Sequence, residues 1–177
     1  MPSKARQHFD DSAEDLRQLA SLFDVVVESA KDDNEDPPQG TEALLRSAVV
    51  LMVSHWEAYV EDICAEAIEH LVARVDDAKK LPKQIKQAVV RDLKADQNEL
   101  AVWQLADDGW KKYLSGRLTM YRESRNRSFN TPKAQATVEF IRGVTGIEDV
   151  RKSWHWDSMD ATAVVKKLDA LPKSVGR

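Results

Sequence analysis

From Thr41 to Leu81 the chain runs without a glycine or a proline, and this constrains the fold more than any other feature. Thr41 is a good N-cap and Glu42 suits the positive end of a helix dipole. Beyond them Leu45, Val49, Met52, Trp56, Tyr59, Ile63, Ala67, Leu71 and Val75 recur at threes and fours, the spacing of one helical face. A helix from Glu42 to Val75 is roughly 50 Å long at about 1.5 Å per residue, so it is the expected spine of the molecule. Around Ala48 to Val53 it is apolar on nearly every side, which predicts packing against more than one neighbour.

The rest of the chain reads as shorter helices. Phe9, Ala13, Leu16, Leu19, Phe23, Val26 and Ala30 form an amphipathic face, with Ser3 as its N-cap. KDDNEDPPQG, residues 31–40, must end that helix. Pro82 opens a third helix carrying Ile85, Val89 and Leu93. A short helix with Leu100, Trp103 and Leu105 follows, then one bearing Trp110, Tyr113, Leu114, Leu118 and Tyr121. Thr131-Pro132 starts a helix through Val138, Ile141 and Val144, with Gly143 and Gly146 as stop signals. A last helix is expected from near Asp157 to Leu171, before Pro172. No segment alternates with period two, so the expected class is all-α, a bundle around one long central helix. Its expected organisation is an N-terminal amphipathic helix and acidic loop over 1–40, then the bundle over 41–177.

Composition narrows the chemistry. Cys64 is the single cysteine of 177 residues, so neither an intramolecular disulfide nor a cysteine-based zinc site can form, which fits a reducing cytoplasm. No stretch reads as a signal peptide or a membrane span, so no membrane association is expected. His8, His55, His70 and His155 show no HExxH spacing, and Glu66 with His70 is at i, i+4 rather than the Glu-x-x-His of helical di-iron sites. No glycine loop for phosphates occurs. Neither a metal nor any other cofactor is expected. Trp56 lies on the apolar stripe and reads as core, while Glu57 flanks it and is a candidate for polar support near a site.

The net charge of −4 hides two opposite regions. Between Asp10 and Asp36 ten acidic residues face only Arg17 and Lys31. Between Lys111 and Arg127 six basic residues face only Glu123, and YRESRNRSFN interleaves Arg122, Arg125 and Arg127 with aromatic and amide groups. Either these arginines answer the acidic first helix or a second subunit, or they grip phosphates and stack on bases.

Three segments in order, Leu44 to Ile68, Phe129 to Val150 and Val164 to Leu171, resemble the HEPN superfamily, especially the bacterial group named for its association with RNA ligase and phosphoesterase genes. LLRSAVVLMVSHWEAYVEDICAEAI, from Leu44 to Ile68, resembles its first long core helix, with the hydrophobic-Trp-Glu-aromatic step around Trp56 and Glu57. FNTPKAQATVEFIRGVTGIEDV, from Phe129 to Val150, is similar to its Asn-Thr-Pro, helix, Gly-Ile segment, and VVKKLDAL, from Val164 to Leu171, to the approach to its last helix. The resemblance implies an all-helical, usually dimeric fold whose active members are metal-independent ribonucleases, often toxins or anti-phage effectors. Their signature is an arginine, four to six residues and a histidine near the start of the last helix. A histidine titrating near neutrality moves protons at the 2′-hydroxyl and the leaving oxygen, while arginine holds charge on the phosphate.

This chain departs from the signature. Arg151 and His155 in RKSWHW are too close, and Trp154, His155 and Trp156 read as a loop. Arg177 stands where the family pattern places the motif's arginine, with the histidine still to come. The expectation is therefore an RNA-directed protein of toxin or anti-phage type, a ribonuclease only if the natural chain continues past Arg177 with that histidine. Arg122, Arg125 and Arg127 are the expected RNA contacts. A second copy, RNA and a cognate antitoxin or other protein are the expected partners. The alternative is a noncatalytic helical protein-interaction module using the acidic first helix and the tryptophan-rich surface.

Overall fold

The computed structural model describes residues 3–32, 36, 38–125, 134–153, 163 and 166. Among them every regular element is helical and no strand occurs; the class is all-α. In chain order the helices are α1 (Lys4–Asp32), α2 (Thr41–Arg74), α3 (Lys83–Ala95), α4 (Gly109–Arg125) and α5 (Ala134–Thr145). Short 3-10 helices span Ala78–Lys80, Glu99–Leu105 and Val150–Ser153. The chain divides into two compact units, Met1–Asp62 and Ile63–Arg177, the division falling inside α2.

In the first unit the helix ends form where the side chains call for them. Ser3 Oγ accepts the Arg6 amide at 3.1 Å, satisfying one of the orphan donors of α1. Thr41 turns its hydroxyl back to donate to the Pro38 carbonyl at 2.7 Å, fixing the entry to α2. Gly40, at φ +99°, makes the turn there. The unit is held by an aromatic cluster: Phe9 meets Tyr59 with ring centroids 5.0 Å apart and Trp56 at 6.3 Å, edge-on. Trp56 is thus packed, as its place on the stripe predicts.

The stripe itself is displaced from expectation. The fully buried positions of α2 are Val60, Cys64 and Ile68, one residue over from the predicted Tyr59, Ile63 and Ala67, which are half-buried. Leu45 is exposed. A helix apolar on several sides has no single face for periodicity to select, and packing decides the line.

The second unit is a small bundle in which α5 packs on α3, α4 and the Val150–Ser153 turn, while Glu99–Leu105 packs on α3 and α4. On α3, Ile85, Ala88 and Val89 are buried at i, i+3 and i+4. The core of α4 is Trp110, Leu114 and Leu118, and α5 contributes Val138, Phe140, Ile141 and Val144. Each such side chain contributes about 1.5–3 kcal/mol when taken fully from water. The short segment with Leu100 and Trp103 is a 3-10 helix; Asn98 accepts the Leu100 amide at its start. The predicted last helix, and with it His155, lies outside the described residues except for single positions.

Candidate nucleic-acid interface

Any surface offered by the second unit depends on how α3, α4 and α5 are locked together, and one side chain of α4 bonds to both of the other two helices. Arg117 occupies the core face of α4, at 0 % exposure. Its Nε donates to the carbonyls of Gly143 at 3.0 Å and Val144 at 3.1 Å, and one terminal nitrogen also donates to Gly143. The other terminal nitrogen binds Asp92 Oδ2 on α3 at 2.5 Å. The two carbonyls belong to the last turn of α5, which lacks intrahelical donors and carries the negative end of the helix dipole. A guanidinium satisfies them and Asp92 together, which a point-charge lysine cannot do.

The same junction explains Gly146. It closes α5 at φ +77°, its amide donating to the Arg142 carbonyl at 2.9 Å, an αL C-cap. A Cβ there would lie 2.7 Å from the Ile85 nitrogen and 2.8 Å from the Gln84 carbonyl carbon. Glycine is required both for the turn and for the close approach of α5 to the start of α3.

By charge Arg117 belongs with the basic segment Lys111–Arg127, but its side chain lies in the core. Lys111 is likewise engaged, pairing with Asp108 at 3.0 Å and lying over the Trp110 ring. Arg122 and Arg125 fall in the last two turns of α4. Arg127 and Arg177 lie outside the described residues. Glu57 sits half-buried on α2 in the first unit; burial, and then the neighbouring carboxylate of Glu61, push its carboxyl above the ordinary range. Beside it His55 keeps Nε2 buried with no hydrogen-bond partner among the described residues. Among the described residues no three metal-ligating side chains converge. None of the described helices is long and apolar enough to cross a membrane.

A second basic surface is absent from the sequence expectations. Between Ala78 and Ala95 six basic residues accompany a single acid, Asp92. Lys83, Lys86, Gln87, Val90, Arg91 and Lys94 share one face of α3, three and four residues apart, along an open groove of about 410 Å³. An adjoining groove of about 290 Å³ continues from Gln87 and Arg91 to Arg142 on α5 and ends at Glu148. The i, i+3, i+4 cationic spacing was readable in the sequence; what was not readable is that Asp92 points away to Arg117.

A family model described as RiboL-PSP-HEPN matches residues 10–168. No curated protein and no solved structure matches the chain.

Proposed function

The chain belongs to the RiboL-PSP-HEPN family, and from that membership we propose that it is an RNA-directed protein of toxin or anti-phage defence type. The observation that carries the reading is the family match across 10–168, which runs from within α1 through α2, α3, α4 and α5. Arg122, Arg125 and Arg127 contact RNA phosphates in this reading, on and beyond the end of a helix that the buried Arg117 anchors. Glu57 is a polar-support residue of the first unit in this reading. Arg177 stands for the arginine of the family motif, and cleavage follows only where a histidine is supplied with four to six residues between the two. The protein acts in the cytoplasm as a homodimer, with an antitoxin or another protein as a further partner.

Binding to labelled RNA tests this. Affinity falls steeply with salt and drops further in the Arg122→Ala, Arg125→Ala double variant. No RNA affinity at low salt sinks the reading, and a monomer in sedimentation at micromolar concentration counts against a motif shared by two copies.

One observation favours the second reading, a noncatalytic protein-interaction module. Leu100, Val102 and Trp103 on the Glu99–Leu105 turn are exposed by 68 %, 54 % and 72 %, an apolar patch of the kind that marks partner surfaces. In that case Trp103→Ser abolishes capture of the partner and leaves RNA affinity unchanged.

A further inference from the structure

The cations of α3 are gathered on one exposed face of the helix, and the helix itself offers them no anion on that face. Lys83, Arg91, Lys94 and Arg142 make no ion pair among the described residues, and all four are exposed. Lys86 Nζ donates to the Lys79 carbonyl at 2.9 Å, which leaves two of its three donors for other partners. The one acid of the helix, Asp92, is withdrawn into the bundle by Arg117, with its side chain 16 % exposed. From Lys83 to Lys94 the cationic stripe is about 16 Å long at about 1.5 Å per residue. Across the adjoining groove Arg142 extends the positive charge onto a second helix.

We infer that this face of α3, with Arg142, is a binding surface for the phosphodiester backbone of single-stranded RNA. The choice of RNA rests on the function proposed above; the polyanionic character of the ligand rests on the face itself. A protein interface needs an apolar centre from which charges are largely excluded, and here Val90 is the single apolar side chain among the cations and amides. A lipid surface needs an apolar face to insert, and the apolar face of α3, Ile85, Ala88 and Val89, is already buried in the bundle. A phosphate backbone needs only spaced positive charge with amides such as Gln87 to reach phosphate and sugar oxygens. The groove along α3 is lined by one sign of charge, which concentrates such a ligand before contact, and Glu148 bounds the positive surface at the far end of the adjoining groove.

The test is the salt dependence of affinity for a labelled single-stranded RNA of mixed sequence. The full chain is compared with Lys83→Gln, Lys86→Gln, Arg91→Gln, Lys94→Gln combined, and with the two halves of that set as double variants, so that a fold defect in one variant does not decide the outcome. Each phosphate neutralised contributes about 0.7 to the slope of log affinity against log salt on a single strand. The quadruple variant is expected to flatten the slope by about 2 to 3 and each double variant by about half of that. Lys83→Arg, Lys86→Arg, Lys94→Arg combined keeps the slope of the parent chain. Unchanged slopes in the glutamine variants overturn this inference, and if Arg122→Ala with Arg125→Ala still weakens RNA binding, the proposed function survives it. A parent chain with no RNA affinity at the lowest salt overturns both. Loss of binding to a peptide copying residues 10–32, with RNA affinity intact, gives the face to an acidic protein segment and overturns the inference as well.

Discussion

The two basic stretches, around α3 and along α4, look alike in sequence and differ in what their charges do. On α4 the cation at the centre of the stretch, Arg117, is in the core, and Lys111 is tied to Asp108 and Trp110. On α3 the cations face solvent along an open groove. One ion pair produces both outcomes. By binding Asp92, Arg117 leaves the surface charge of α4 and at the same time takes the single acid of α3 out of the cationic face. A local charge count therefore overstates the first stretch and understates the second, and only the contact between them, 25 residues apart in the chain, shows it.

The comparison breaks most sharply at Arg117. Arg117→Met leaves Asp92 without its partner and the Gly143 and Val144 carbonyls without donors, and is expected to cost about 3–5 kcal/mol in chemical denaturation. Arg117→Met with Asp92→Leu costs less than Arg117→Met alone, because no buried charge is left unpaired. An additive double variant would show that the pair does not link the helices.

Gly146→Ala tests the same junction from its other side. It forces a Cβ against the backbone of Gln84 and Ile85 at positive φ and is expected to cost about 2 kcal/mol, again by denaturation. By contrast the four α3 substitutions to glutamine touch nothing buried. They change folding stability by no more than about 0.5 kcal/mol while changing RNA affinity. A large loss of stability would mean that these cations are structural, as Arg117 is.

The smallest expected effect lies in the first unit. The Glu57 carboxyl is raised by burial and by Glu61, so the folded state holds a proton that the unfolded chain releases. Its contribution to stability consequently falls as pH rises from the ordinary carboxyl value of 4.5 through the raised one, and stays lost above it. Glu57→Gln is expected to stabilise the chain slightly at neutral pH, with the difference shrinking as pH falls toward the unfolded value. Equal stabilities at every pH would contradict the raised carboxyl.

Much of the scaffold was legible because it rests on local rules. Ser3 caps α1, the uninterrupted run makes α2, Pro82 precedes α3 and Gly146 ends α5, each decided within a few residues. The buried line of α2 was not legible, since a helix apolar around its circumference leaves tertiary packing to choose Val60, Cys64 and Ile68. Of the site, the bases of α4 were read by counting charge, which cannot distinguish Arg117 in the core from an arginine at the surface. The α3 stripe had its spacing in plain sight, but a count that includes Asp92 does not reveal that the acid faces inward.

Lysine acetylation footprinting of the RNA-saturated protein tests most directly which basic stretch meets the ligand. The account predicts that Lys83, Lys86 and Lys94 lose reactivity several-fold when RNA is bound, and that Lys111, held by Asp108 and Trp110, changes little. Full reactivity of the three α3 lysines in the saturated complex would contradict it.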